Sequence, residues 1–544
     1  MAAADRDSRI LSSMDATSRS GDISRRDLLK AAGGLTFLAL VPAARGRFAL
    51  DVRPALDRVP PLFTALPYVQ PGDNSRLVAN QERAILAWQT DATPADFRVV
   101  FGPTTQYGHT ADVTVSRRST LDTEDAEARL NYTAAFPGLR LGTTYHYRVS
   151  LGAERIAEGY FTTRKPRGTP TRFVAFGDNS YGDISDRAIA YHAYRARPDF
   201  VMNTGDNVYE GGLDNEYARY FFPVYNADLA GRRIGAPLLR SIPFYTVIAN
   251  HDVHGKTAEQ HPVADFDADA DSLAYFTNMH LPLNAPIHPQ PTPTVGDAAR
   301  LEAFRACAGD RFPRMANYSF DYGDAHFLCL DSNLYVDPTD AEWQAWMADD
   351  LSGTDAAWKF VVYHHPAFNV GVEHYQEQHM RVLAPLFERH GVAIVFHGHE
   401  HNYQRTRPIR FAPAGPGAAG TVNAKERLVP GTFEVDAEFD GRRVTRPNGV
   451  IYVTTGAGGK HLYDADFTGQ PSRWLRPEDG NVAYVDRLVA DRHSLTVVDV
   501  RPTQLTLRQV DERGGEIDRI RITRRAAGQA AVRSRAGDGP TAVR

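Results

Sequence analysis

Five short apolar runs in this sequence each end in a side chain that can bind a hard or borderline cation. Phe173 to Phe176 precedes Asp178, Phe200 to Met202 precedes Asp206, and Phe244 to Ile248 precedes Asn250. Phe360 to Tyr363 precedes His364, and Val392 to Phe396 precedes His399. Carboxylate, carboxamide and imidazole donors suit such cations, but each block alone has a plainer reading. Asp178-Asn179 and Asp206-Asn207 are ordinary turn formers or helix caps, Asn250 could cap a turn, and His364 could be a core histidine. Gly398-His399-Glu400-His401 is more specific, because alternate histidines stay close in an extended or tightly looped chain. The recurrence carries the argument: strands of one sheet deliver the residues after their C-terminal ends to a common edge, so distant donors can converge.

The elements that must do this positioning begin near Thr171, where apolar strands alternate with helical stretches such as Ser185 to Arg195 and Glu377 to His390. That alternation indicates a layered α/β domain, assigned here to residues 170–525 with a boundary near Arg164 to Thr171. Ahead of it, short strands at Ala84 to Trp88, Phe97 to Phe101, Asp112 to Val115, Asn131 to Phe136, Tyr145 to Leu151 and Gly159 to Thr163 have the spacing of an antiparallel sandwich. Leu139 to Tyr145 resembles a tyrosine corner, so residues 65–166 are expected to form a module like fibronectin type III. From Asp51 to about Asp73 the chain is proline-rich and irregular, with residues 47–64 read as a linker. Residues 526–544, rich in Ala, Arg and Gly, read as a disordered tail.

Ser24-Arg25-Arg26-Asp27-Leu28-Leu29-Lys30, followed by the small and apolar run Ala31 to Ala44, has the order of an export signal over residues 1–46. Its paired arginines resemble the twin-arginine type, which carries proteins across a membrane already folded. A periplasmic or secreted protein is expected, with the export machinery as one partner. No other run reaches the ~20 apolar residues of a spanning helix, so no membrane span is expected. A formal charge of −5 gives no electrostatic reason to expect nucleic acid or anionic lipid. Cys307 and Cys329 are the only cysteines, which leaves one optional disulfide and no cysteine-based metal site.

Taken together, the blocks resemble the signature of purple acid phosphatases within the metallophosphoesterase superfamily. They read Asp178-Asn179-Ser180, Gly205-Asp206-Asn207-Val208-Tyr209, Ala249-Asn250-His251-Asp252, Val361-Val362-Tyr363-His364 and Gly398-His399-Glu400-His401. The later Asn448 to Gly459 and the preceding sandwich are similar to the same family. The resemblance implies a four-layer α/β (α+β) β-sandwich catalytic domain. It implies iron(III) on Asp178, Tyr209 and His401, a second divalent metal (iron, zinc or manganese) on Asn250, His364 and His399, and Asp206 bridging both. A shared carboxylate suits a two-metal hydrolase, and a phenolate from Tyr209 is a hard donor suited to a trivalent ion.

The expected reaction is acid hydrolysis of small-molecule phosphate monoesters, with a metal-activated hydroxide attacking phosphorus in line. Asn250, His251 and His374 are the expected substrate contacts, with His251 or His374 protonating the leaving group. Glu373 stands where the family places a second substrate histidine. Ser180 and Ala249 stand where it usually has glycine, which leaves the donor set intact. His254, His365 and His397 are read as neighbours that support ligands. Two rivals remain: a neutral or alkaline phosphodiesterase, nucleotidase or phospholipase of the same superfamily, and a noncatalytic surface binding protein. Substrate choice is expected to lie in the loops Gly211 to Tyr220, His254 to Met279 and Phe368 to His379.

Overall fold

Period-two burial drives the first segment into sheets. A computed structural model describes residues 63–117, 128–253, 263–287, 291–414 and 428–524; the stretches read as an export signal and as a tail, and His254, lie outside them. Strands β1 (Phe63–Gln70), β2 (Glu82–Asp91), β3 (Phe97–Gly102), β4 (His109–Ala111), β5 (Val113–Arg117), β6 (Arg129–Leu139), β7 (Thr144–Leu151) and β8 (Glu154–Thr162) form two sheets. Their orders are β1-β2-β6-β5 and β4-β3-β7-β8, with antiparallel pairing throughout. Inward side chains such as Leu86, Trp88, Phe97, Val99, Tyr132 and Phe136 share one core, where the Trp88 and Tyr132 rings stack at 5.5 Å. The Tyr145 hydroxyl accepts the Arg140 amide at 3.2 Å, the bond a tyrosine corner makes.

β1 corrects the sequence expectation, which left the chain irregular as far as Asp73. The segment is an edge strand despite Pro67, and the register on β2 shifts between Ala65 and Tyr68, where the proline sits. An edge strand with an irregularity is the one place in a sheet that tolerates a missing N–H donor.

The larger part is built on two mixed sheets. In the first, β9 (Thr171–Phe176), β10 (Phe200–Asn203) and β11 (Phe244–Thr246) run parallel, and β19 (Ser494–Arg501), β20 (Gln504–Asp511) and β21 (Glu516–Thr523) add to it in the order β11-β10-β9-β19-β20-β21. The second comprises β12 (Tyr318–Tyr322), β13 (Ala325–Cys329), β14 (Trp358–Val362), β15 (Ile394–His397), β16 (Tyr403–Thr406), β17 (Ile451–Thr455) and β18 (Val485–Val489). Its order is β12-β13-β14-β15-β17-β16-β18, with β13, β14, β15 and β17 parallel. Fully buried phenylalanines meet between the sheets: Phe173 lies against Phe327, Phe360 and Phe396 at ring distances of 5.2, 5.6 and 5.9 Å. Both sheets therefore turn the C-terminal ends of their parallel strands toward one edge.

Helix α1 (Ile184–Ala196) matches the helical stretch expected at Ser185 to Arg195 and buries Ile189, Ala190 and Ala193. The stretch Glu377 to His390 differs. It divides into a 3-10 turn over His379–Leu383 and a short helix α2 (Ala384–Arg389) with Pro385 in its first turn. Proline fits a first turn but breaks a helix interior, so α2 starts there rather than at Glu377. Cys307 and Cys329 stand as separate buried thiols.

Buried ion pairs join the sandwich to the larger part. The Arg164 guanidinium donates to both Glu82 carboxylate oxygens at 3.0 and 2.6 Å, and to the carbonyls of Ser75 and Asp321 at 2.7 and 2.9 Å. Arg129 on β6 meets Asp214 at 2.8 Å, and Gln89 on β2 donates to the same carboxylate at 3.1 Å. Asp214 opens a helical segment after Tyr209, so the sandwich braces a stretch read from sequence as a loop that sets substrate choice.

Candidate metal and active site

The strand ends deliver their donors as the pattern of apolar runs requires. Asp178 follows β9, Asp206 and Tyr209 follow β10, Asn250 follows β11, His364 follows β14, and His399 and His401 follow β15. Asp178, Ser180, Asp206 and His399 all adopt left-handed backbone, with φ of 58°, 62°, 48° and 69°. Outside glycine such conformations are costly and persist where surrounding structure imposes them, commonly at functional sites. Gly398 shows how tightly the turn is drawn: a Cβ there would stand 2.5 Å from Asp178 Oδ2 and 2.9 Å from His364 Nδ1.

Two groups of donors meet. On one side the Tyr209 hydroxyl lies 3.2 Å from Asp178 Oδ1 and 3.2 Å from His401 Nε2, and His401 Nε2 is 3.5 Å from that carboxylate. On the other, His364 Nε2 lies 3.3 Å from Asp206 Oδ2 and 3.2 Å from His399 Nδ1. Asp178 and His364 link the two sides at 3.9 Å. The Asp206, His364 and His399 donor atoms lie within 4.8 Å of one another, all on buried side chains. Asn250 opens a 3-10 turn in which the next residue, His251, donates its amide to Asp206 Oδ1 at 3.0 Å. The Asn250 Oδ1 atom is buried without a hydrogen-bond partner.

The ring nitrogens are oriented from behind. Thr204 carbonyl accepts from His364 Nδ1 at 2.9 Å and His461 carbonyl from His401 Nδ1 at 2.7 Å, so each Nε2 is the ring atom turned toward the carboxylates. Glu377 accepts from His399 Nε2 at 2.9 Å, which turns Nδ1 inward. Burial, ahead of the other imidazoles, pushes His399 down to about 3, so the ring is neutral. Burial also raises Asp178, with the neighbouring Asp206 charge adding to it. It works to raise Asp206 too, but His364, whose own ring the two carboxylates push up to about 9 against burial, and then His251 hold that carboxyl well below its ordinary range. Two buried carboxylates, a phenol, three imidazoles and the unpartnered carboxamide oxygen of half-buried Asn250 bring together more lone pairs than the chain's own protons fill, and such a set fits cations.

The remaining histidines read from sequence lie around the cluster at different depths, His251 and His374 half-buried and His365 and His397 buried. His251 Nδ1 donates to the Glu210 carbonyl at 2.9 Å, and its ring lies 4.5 Å from that of Tyr209. The His374 ring lies 3.8 Å from that of His399, and the Glu400 carboxylate accepts the His374 amide at 3.0 Å. Glu373 is exposed beside it. His365 supports the cluster through Ser332 Oγ at 2.9 Å and lies 4.4 Å from the His399 ring. His397 does not: both its nitrogens are buried without partners, and it packs against Tyr363 and Tyr452 at 4.8 and 5.8 Å.

Sequence reasoning missed Glu377, Glu400, Tyr463 and Lys460. Tyr463 stacks on His401 at 4.0 Å. Lys460 holds Glu210 at 2.6 Å with its own side chain 5% exposed. Glu377 had a signal, three residues after His374, and Lys460 directly follows the Gly458-Gly459 pair.

Known proteins resemble this chain in sequence and in fold. Residues 171–403 match the calcineurin-like phosphoesterase family. The chain is 24% identical to purple acid phosphatase 15 of Arabidopsis thaliana over 323 residues, 53% of each chain. It is 26% identical to purple acid phosphatase 17 of the same plant over 265 residues, 45% of this chain and 68% of that one. The chain thus spans about half the length of the first of these relatives. Its fold is similar to that of a purple acid phosphatase isolated from yellow lupin (Lupinus luteus) seeds, with a TM-score of 0.55 at 16% identity, covering 84% of this chain and 74% of that one.

Proposed function

We propose, from the premise that this chain carries a calcineurin-like phosphoesterase domain and resembles purple acid phosphatases, that it is an exported acid phosphatase acting on small phosphate monoesters with two cations. The observation that carries this reading is Tyr209, whose hydroxyl stands 3.2 Å from both Asp178 and His401 in a buried site. In this reading Asp178, Tyr209 and His401 hold iron(III), Asn250, His364 and His399 hold divalent iron, zinc or manganese, and Asp206 serves both. Bound there, such cations acidify water and neutralise charge on phosphoryl oxygens, which makes hydrolysis accessible at mildly acidic pH.

The chain's own residues supply orientation and a proton. His251 gives its Nδ1 proton to the Glu210 carbonyl, so Nε2 is the atom left to meet a phosphate or leaving oxygen. Asn250 Oδ1, with its buried lone pairs free, is suited to a cation, while the carboxamide nitrogen can meet a phosphoryl oxygen. His374, half-buried above His399 and held through its amide by Glu400, is the second candidate acid. Glu373 places negative charge at the rim, where the family has a histidine, and favours esters whose leaving group carries positive charge or hydrogen-bond donors. The sandwich is read as a fibronectin type III-like module, and the first residues as a twin-arginine signal.

Metal analysis and a visible spectrum of the purified protein, with p-nitrophenyl phosphate hydrolysis followed from pH 4 to 9, test the assignment. Iron with a violet band and an acidic optimum are expected. A colourless protein with two divalent metals and an alkaline optimum would overturn it in favour of the phosphodiesterase reading. Amino-terminal sequencing of the exported protein should begin near Ala43 to Gly46, just past the short apolar run that follows the basic segment.

A further inference from the structure

We propose that Lys460 is a positioning residue for Tyr209, its ammonium group lying over the ring face and setting the electron density of the phenolic oxygen offered to the site. The inference rests on the reading of Tyr209 as a metal donor. Lys460 Nζ stands 4.3 Å from the centre of the Tyr209 ring and 3.5 Å from that of Tyr181. The two rings meet edge to face at 6.1 Å, so the cation is lodged between aromatic faces. Its carboxylate partner, Glu210 at 2.6 Å, is 65% exposed whereas the lysine side chain is 5% exposed. A lysine that served only a surface ion pair would keep its charge in water, since such pairs contribute little and ammonium groups are strongly hydrated.

The main chain fixes the placement. The Lys460 amide donates to the Asp178 carbonyl at 2.9 Å, and its carbonyl faces His493 Nε2 at 3.3 Å. The residue is thereby anchored to the first site block, and its side chain crosses to the second. A positive charge near an aromatic face lowers the energy of electrons in that ring. A phenolate donor under such a charge gives up its electrons less readily, so charge transfer from it requires more energy.

The experiment compares visible spectra and iron retention for the wild-type protein, Tyr209→Phe, Lys460→Met, Lys460→Arg and Glu210→Gln. Tyr209→Phe should bleach the violet band. Lys460→Met should move the band to longer wavelength without easier release of iron to a chelator, because the phenolate it leaves is the stronger donor. Lys460→Arg should stay near wild type, and so should Glu210→Gln, because it keeps the ammonium over the ring. A band that Tyr209→Phe leaves intact overturns the reading of Tyr209 and this proposal with it. A band bleached by Tyr209→Phe but unmoved by Lys460→Met overturns this proposal alone. An equal shift in Glu210→Gln would assign the effect to loop position rather than charge and likewise overturn it. Should Lys460→Met fail to fold, Lys460→Gln takes its place; if both neutral variants fail while Lys460→Arg folds, Lys460 is a packing charge and the proposal is lost.

Discussion

Charges are buried at two places in this molecule, and the two treat them differently. At the junction of the sandwich and the larger part, Arg164 meets Glu82 through two hydrogen bonds and spends its remaining donor capacity on backbone carbonyls. At the edge where the parallel strands end, Asp178 and Asp206 are as deeply buried but face imidazoles, a phenol and each other. The junction is satisfied from within the chain, as structural charges must be to offset their desolvation. The strand edge gathers more donor atoms than the chain partners, the Asn250 Oδ1 among them, as a site for an external cation must. Burial of charge therefore does not by itself mark function; what marks it here is a convergence of lone-pair donors that the chain's own hydrogen bonds leave incomplete.

That contrast can be broken at either end. The largest effect is expected at the edge: Asp206→Ala should lower p-nitrophenyl phosphate turnover by about 10³-fold or more, since every cation-dependent step loses its shared ligand, while circular dichroism stays native. Near-normal rates would remove the distinction. At the junction the reverse is expected. Arg164→Leu strands the buried Glu82 carboxylate and should cost about 3–5 kcal/mol in urea unfolding, with turnover per folded molecule nearly unchanged. Glu377→Gln should weaken metal retention by roughly 10- to 100-fold, because His399 loses the carboxylate that orients it.

The smallest effect is pH-dependent. Buried His326 lies between Asp321 and Asp350 at 2.8 Å each, with Arg76 and Arg167 on the outer oxygens. Burial works to lower His326, but the two carboxylates raise it above its ordinary 6.5. Its contribution to stability is thus complete below pH 6.5 and fades as pH climbs through the raised folded value. Asp321, lowered by His326 against the effect of burial, contributes above its ordinary 3.8 and loses that share as pH falls. His326→Gln should therefore cost more stability at pH 6 than at pH 9 in chemical unfolding. Equal losses at both would show that the imidazole is neutral in the fold.

What the sequence disclosed follows the range over which each signal acts. The apolar runs before Asp178, Asp206, Asn250, His364 and His399 were legible because strand, turn and donor are adjacent in the chain, and α1 was legible from its periodicity. β1 was hidden by Pro67, whose cost is waived only at a sheet edge, and edges belong to tertiary structure. The segment after Glu377 looked helical because its side chains are good helix formers, yet Pro385 fixes where the helix can begin. Glu400, Tyr463 and Lys460 escaped because their chemistry is ordinary. Only the meeting of loops far apart in sequence gives them a task, as where Lys460 reaches back to Glu210.

The left-handed turns at Asp178, Ser180, Asp206 and His399 have a consequence for inheritance. At these codons a replacement is screened twice, once for its functional group and once for whether a side chain can live on that main chain. Isoleucine, valine and threonine are barred whatever their polarity, whereas glycine at 180 relieves the fold and removes no donor. Drift along this edge is thereby channelled into very few neutral steps, and the strands that lead to it, buried on both faces, add little freedom of their own.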